Sequence, residues 1–241
     1  MISLQDRTSW REHFRCVALE DLQSLDEFKN HLTVITLTKD TEFYHQLAPY
    51  HQDNHAEIFI EHLKEHLADV NSGFYFPDSI RKALFPHFIN GVIEAVHRIF
   101  FSNKNILLRE HRMDFIEIFY LFLQLKLIEL VKPDSFSLTC KDGVDIGAAA
   151  NAQLFAFLKL INKEKFTEAD HACMNQILYG PSVFVRGRVV QPERFNRMLN
   201  AIRTMESIKD QLGESHFAMI IQEAFGDFYK SDILKSRLYT S

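Results

Sequence analysis

The stretch Ser135-Phe-Ser-Leu-Thr-Cys140-Lys-Asp-Gly-Val-Asp145-Ile146-Gly147, followed by Ala148-Ala-Ala-Asn-Ala-Gln-Leu, constrains the fold more than any other part of the chain. Its residue types predict a short strand over 135–139, a tight loop, and a helix over 147–161. Asp142-Gly143 is a turn signal, and the alanine run starts the helix with small side chains. A helix N-terminus leaves backbone N–H groups without partners and carries positive dipole character, so it attracts anions and stabilises thiolates. Cys140 stands at the strand end facing that terminus, an arrangement suited to phosphate chemistry.

Elsewhere the pattern is mainly helical. Leu32–Thr38 is β-branched and apolar, bounded by Lys39-Asp40, and predicts a second strand. Residues 1–30 are mixed polar and helical in part, with Ser24-Leu-Asp-Glu27 matching a capping box. Ala56, Phe59, Leu63, Leu67 and Val70 recur at helical spacing through 54–70, and Asn71-Ser72-Gly73 ends that run. Pro77-Asp78-Ser79 opens a helix toward Phe101 that must kink or restart at Pro86. A long buried helix spans 112–131, ended by Pro133. Thr167–Leu178 is helical, with Gly180-Pro181 as its break and Val183–Val190 as a hairpin or extended loop. Pro192–Met205 and Ser215–Tyr229 close the chain. The expected fold is α-rich α/β, a small sheet surrounded by helices in a single domain over 1–241, with an all-α bundle as the alternative.

The loop Cys140-Lys141-Asp142-Gly143-Val144-Asp145 resembles the signature of the cysteine-dependent phosphatase superfamily, in which a Cys, five residues and an Arg lie between a strand and a helix. It is most similar to the loops of phosphoinositide phosphatases and related bacterial effectors, which often read Cys-Lys-x-Gly-x-Asp-Arg and then a small residue. Cys140, Lys141, Gly143 and Asp145 match, Gly147 stands at the small position, and Ile146 occupies the place of the arginine. The resemblance covers only this short stretch of the 241 residues. It implies Cys140 as the nucleophile and residues 141–147 (Lys141, Asp142, Gly143, Val144, Asp145, Ile146, Gly147) as the phosphate cradle, with no metal or cofactor. The thiolate would attack phosphorus, Gly143 would let amides turn inward, and Lys141 would add charge near a polyanion. The family's guanidinium makes two parallel bonds to the transferring phosphoryl group; loss of one preorganised donor costs about 10²–10³ in rate. Ile146 has no donor.

Three readings follow: a degenerate phosphatase-like domain that keeps anion or partner binding, an active enzyme with a cation supplied from Arg186, Arg188 or Arg194, or a structural turn around a buried cysteine in a helical interaction module. Arg186, Arg188, Arg194 and Arg197 form a basic cluster with Glu193 as its one acid. It would hold an anion near the loop or form a solvated surface. Asp170 and His171 are candidate leaving-group acids. Asp114, Glu117 and Gln124 make a polar line on the 112–131 helix, either a pocket wall or, the more ordinary case, its one wet edge. His51, His55, His62 and His66 share a narrow helical arc, which suits a strip at the border of an apolar face better than a metal site.

Net charge −5 and a pI of about 6.2 give no general attraction to nucleic acid or an anionic membrane. Three widely spaced cysteines form no disulfide framework or zinc ribbon, and the charged N-terminus has no apolar signal core. The most apolar segment, 115–131, carries Glu117, Gln124, Lys126 and Glu129, so no transmembrane segment is expected. With eight glycines there is no glycine-rich nucleotide cradle, nor any nucleophile elbow or zincin motif. The expected partner is a phosphorylated ligand or a protein. The location is cytoplasmic, or secreted without a cleavable signal, as the resemblance to effectors implies.

Overall fold

In the computed structural model, which describes residues 1–162 and 164–229, the first residues of the chain form the middle of the sheet. β1 (Ile2–Ser3) lies between β2 (Ile35–Thr36) and β3 (Leu138–Thr139), all parallel, with Ile2 opposite both Ile35 and Leu138. Pairing continues past these residues: Leu37 N–H donates to the Ser3 carbonyl at 2.8 Å and Leu4 N–H to the Thr139 carbonyl at 2.7 Å. The strand expected over 32–38 is therefore narrower as a ladder, and a central strand replaces the polar, part-helical start expected for the first residues. Two residues are too few to carry an alternation, so only their partners define β1.

Parallel strands need crossover connections, and helices supply them. α1 (His13–Leu22) joins β1 to β2. Then α2 (Glu42–His45), α3 (Ala56–Ala68), α4 (Asp78–Leu84), α5 (His87–Phe101) and α6 (Arg109–Val131) lead to β3. α7 (Ile146–Ile161), α8 (Glu168–Arg186), α9 (Pro192–Leu212) and α10 (Glu214–Tyr229) follow. The architecture is α-rich α/β, differing from an all-α packing only by this small sheet. No described helix is long and apolar enough to cross a membrane.

Local chemistry accounts for most boundaries. α4 ends and α5 restarts across Phe85-Pro86, since a proline inside a helix removes a bond and clashes with the preceding turn. α6 is apolar nearly all round and is buried accordingly, ending at Lys132 in the left-handed conformation before Pro133. Phenylalanines knit it to its neighbours: Phe115 meets Phe59 and Phe101 at 5.3 Å, and Phe122 meets Phe157 at 5.1 Å. Each such ring removed from water contributes roughly 1.5–3 kcal/mol.

Two expectations fail. Ser24 is no N-cap: α1 ends at Leu22, and Ser24 donates back to the Asp21 carbonyl of the last turn from both its N–H (3.0 Å) and its Oγ (2.7 Å). α8 runs straight through Gly180-Pro181 to Arg186, so Val183–Arg186 is helix and only 188–191 is loop. Pro181 costs α8 one N–H bond, and packing of α8 on α7 offsets that loss. Gly187, at φ +63°, makes the left-handed exit.

Candidate functional site

The C-terminal ends of parallel strands are where open α/β sheets build sites. Here that edge carries the loop after β3 and the segment after β2. Cys140 is half-buried directly after β3, and its sulfur lies beside the first turn of α7: a Cβ on Gly147 would sit 3.7 Å from Cys140 Sγ and 3.5 Å from the Leu138 carbonyl oxygen. Asn151 fixes the helix to the strand end, donating to the Leu138 carbonyl at 3.0 Å and the Gly147 carbonyl at 2.8 Å. Val144 is fully buried and anchors the loop. Gly143 takes φ +70°, which only glycine adopts without strain. Lys141 and Asp142 are exposed. Among the described residues, the amides of 141–148 make no bond to another backbone group, and Val144 N–H reaches only Asp142 Oδ1 at 3.4 Å.

Ile146, six residues after Cys140, is the first residue of α7 and packs partly buried against the main core. The helix that follows is lined with buried Gly147, Ala148, Ala149, Ala150 and Ala152, whose small size lets α8 and α9 approach. The end of α8 then brings two arginines to the loop. Arg186 pairs with Asp142, donating from Nε at 3.0 Å and from Nη2. Arg188 forks onto Asp145 with bonds of 2.8 and 2.6 Å, and Gln191 N–H joins at 2.9 Å. These bonds hold both carboxyls below their ordinary range, Asp142 through Arg186 and Asp145 through Arg188. Both guanidiniums thus neutralise the loop's own acids.

Arg194 reaches elsewhere. It donates to Asp40 and to the Lys39 carbonyl (3.2 Å), and lies 3.3 Å from His45 Nε2, tying the start of α9 to the segment after β2. His45 in turn contacts Asp40 at 2.9 Å and Glu193 at 3.5 Å. One turn along α9, Arg197 enters a buried ionic cluster that the sequence does not announce. Glu117 Oε2 accepts from Lys39 Nζ at 2.6 Å; its Oε1 accepts from Arg197 Nε at 2.9 Å and from the Tyr44 hydroxyl. Burial alone would raise the Glu117 pKa, but Lys39 and Arg197 bring it down to about 2. Burial lowers that of Lys39 against the pull of Glu117. The Arg197 guanidinium stacks over the Tyr44 ring, 3.7 Å from its centroid.

The polar line on α6 is therefore no wet edge. Glu117 and Gln124 are each 1 % exposed, and half-buried Asp114 accepts from Thr204 Oγ1 at 2.9 Å. Burial pushes Asp114 up to about 6, against the Thr204 bond. The signal available in the sequence was an acid on an otherwise apolar helix. Its partners lie about 80 residues away on both sides, beyond any local pattern.

The remaining candidates hold the frame together. His62 Nδ1 lies 2.8 Å from Asp53 Oδ2, and His66 Nε2 2.9 Å from the Tyr50 hydroxyl with its ring stacked on Phe43, so these two clamp the turn before α3. His51 lies in that turn and His55 precedes α3, both exposed. Asp170 closes a capping box with Thr167 and pairs with Lys159 at 2.9 Å. His171 follows it in the first turn of α8, its ring 5.4 Å from that of Phe166. No group of three metal-binding side chains occurs among the described residues. No protein-family model, curated protein or solved structure matches the chain.

Proposed function

We propose that the chain is a phosphatase-like domain with a degraded active loop, which binds an anionic group without turning it over. The observation that supports this most directly is Ile146. The loop keeps the strand, the cysteine, the glycine and a helix start whose amides have no backbone partner among the described residues, yet the side chain at the arginine position packs, partly buried, against the core. Arg186 and Arg188, the two arginines that pair with the loop, are engaged by Asp142 and Asp145. Such a loop solvates an oxyanion through its amides but gives no bidentate cation to the charge that spreads in a phosphoryl-transfer transition state. A phosphorylated ligand or protein partner suits this reading better than nucleic acid, given the net charge of −5. A cytoplasmic address, or export without a cleavable signal, fits equally.

The test joins turnover to binding. Wild type should hydrolyse p-nitrophenyl phosphate no faster than Cys140→Ser, while inorganic phosphate should shift the backbone amide resonances of 141–148 saturably. Ile146→Arg should introduce measurable turnover that a second change, Cys140→Ser, removes. Wild-type turnover abolished by Cys140→Ser would mean an active enzyme, and loop amides indifferent to phosphate would end the anion reading.

A further inference from the structure

Beneath the loop, α6, α7 and α9 enclose a small cavity lined by Lys39, Tyr44, Glu117, Gln153, Arg194 and Arg197, with Ile146 on its wall. Its volume is about 10 Å³, space for one water-sized atom. Three of its lining side chains carry a buried nitrogen with no hydrogen-bond partner among the described residues: Gln153 Nε2, Arg194 Nε and Arg197 Nη1. Gln153 is 2 % exposed and Arg197 8 %, so solvent does not serve them from outside. A buried N–H left without an acceptor costs about 1–3 kcal/mol, more on a charged group, so three around one cavity require an occupant. All three are donors.

Charge does not stand against an occupant. Around Arg194 the balance is local, because Asp40 faces it, with His45 and Glu193 alongside. In the deeper cluster two cations, Lys39 and Arg197, share the single carboxylate of Glu117, and Tyr44 adds a neutral hydroxyl that also donates to it. Asp114, one turn before Glu117 on α6, also acts on Arg197 and, with a pKa of about 6, is ionised at neutral pH, so the charges come close to balance and the case for an occupant rests on the donors. A water oxygen accepts two bonds and brings no charge, so it leaves one donor unserved. An anionic oxygen accepts all three.

We infer that this cavity is a binding site for one oxygen of a small oxyanion, a phosphate or carboxylate group, held by Gln153, Arg194 and Arg197. The cavity admits a single atom, so the rest of the group sits at the mouth. The site is distinct from the Cys140 loop: its donors come from the middle of α7 and from α9, and it needs neither the thiol nor the loop amides.

The experiment is a titration of the full chain with inorganic phosphate, acetate and chloride at fixed ionic strength, followed by the side-chain ¹⁵N–¹H signals of Gln153, Arg194 and Arg197. Phosphate or acetate should shift them saturably, and whichever does so names the oxyanion. Gln153→Leu, which leaves every charge in place, should weaken binding at least tenfold, as should Arg197→Met; Cys140→Ser should not change it. Side-chain signals that ignore both oxyanions, respond to chloride alone, or keep wild-type affinity in Gln153→Leu would overturn the site. Shifts confined to the backbone of 141–148 would also overturn it, while leaving the loop reading intact.

Discussion

Arg112 and Arg197 are both buried beside α6, and they are held in opposite ways. Arg112 is fully buried, and its donors all find neutral oxygens: Nε reaches Gln46 Oε1 (2.7 Å), Nη1 reaches Asn54 Oδ1 and the Leu107 carbonyl (both 2.7 Å), and Nη2 reaches the Tyr50 and His51 carbonyls (3.2 and 3.1 Å). Its charge is spread over five dipoles, and it ties the turn before α3 to the start of α6. Arg197 has a carboxylate, Glu117, and an aromatic face, Tyr44, yet one of its nitrogens has no partner among the described residues. A guanidinium saturated by the fold is structure. One that the fold leaves short by a bond is poised for something outside the fold.

The comparison breaks or stands on paired truncations. Arg112→Met strands several acceptors at once. Some reach water and about two stay buried, so at ~1–2 kcal/mol each the loss should be about 2–4 kcal/mol. Arg197→Met should cost only about 1 kcal/mol in phosphate-free buffer. It removes a charged bond worth ~1.5–3 kcal/mol but also an orphan donor, and Glu117 keeps Lys39 and Tyr44. Urea denaturation midpoints at a common slope measure both. Equal losses, or a larger one for Arg197→Met, would show that Arg197 is as structural as Arg112.

This contrast also marks how far the sequence can be read. The strand, loop and helix across 135–161, the restart at Pro86 and the long α6 were legible because each depends on neighbours within a turn or two. β1 was not, since Ile2-Ser3 has meaning only beside Ile35 and Leu138. Pro181 misled because a local breaker was overruled by the packing of α8 on α7. Within the site, Cys140 and Ile146 stood out at once, whereas Lys39 looked like the end of a strand and Arg197 like one of several surface arginines. Glu117 is visible in the sequence as an anomaly, but nothing next to it distinguishes a solvated acid from a buried one. A buried charge is recognisable only with its partners, and these come from three separate segments.

Acidity sharpens the same comparison within α6, where Asp114 and Glu117 lie three residues apart. Asp114 binds its proton more tightly in the folded chain, at about 6 against an ordinary 3.8. Its contribution to stability is fully present below the ordinary value and is lost as pH rises through about 6. Glu117 does the reverse, at about 2 against 4.5: its contribution holds above the ordinary value and is lost as pH falls toward 2. Wild type should gain stability from Asp114 on acidification from pH 6 toward 4.5, by at most about 1.4 kcal/mol per pH unit for one proton, and lose it below. In Asp114→Asn the gain should vanish and the acid loss remain. A variant that keeps the gain would assign it to another group.

The smallest effect belongs to the exposed arginines, and it separates the loop's ion pairs from the buried cluster. Arg186 and Asp142 are partly exposed, at 48 % and 27 % of their side chains. An ion pair in that setting is screened by water and salt, and ordering two long side chains offsets much of its attraction, so Arg186→Ala should change stability by less than about 1 kcal/mol. The difference should shrink further at high salt, whereas the cost of Arg112→Met, which rests on bonds closed to solvent, should not. Arg186→Ala also frees Asp142 to repel an anion at the loop, so phosphate should shift the amides of 141–148 at higher concentration than in wild type. An Arg186→Ala loss as large as that of Arg112→Met, or one insensitive to salt, would mean that this pair is part of the framework and not a neutraliser of the loop's own charge.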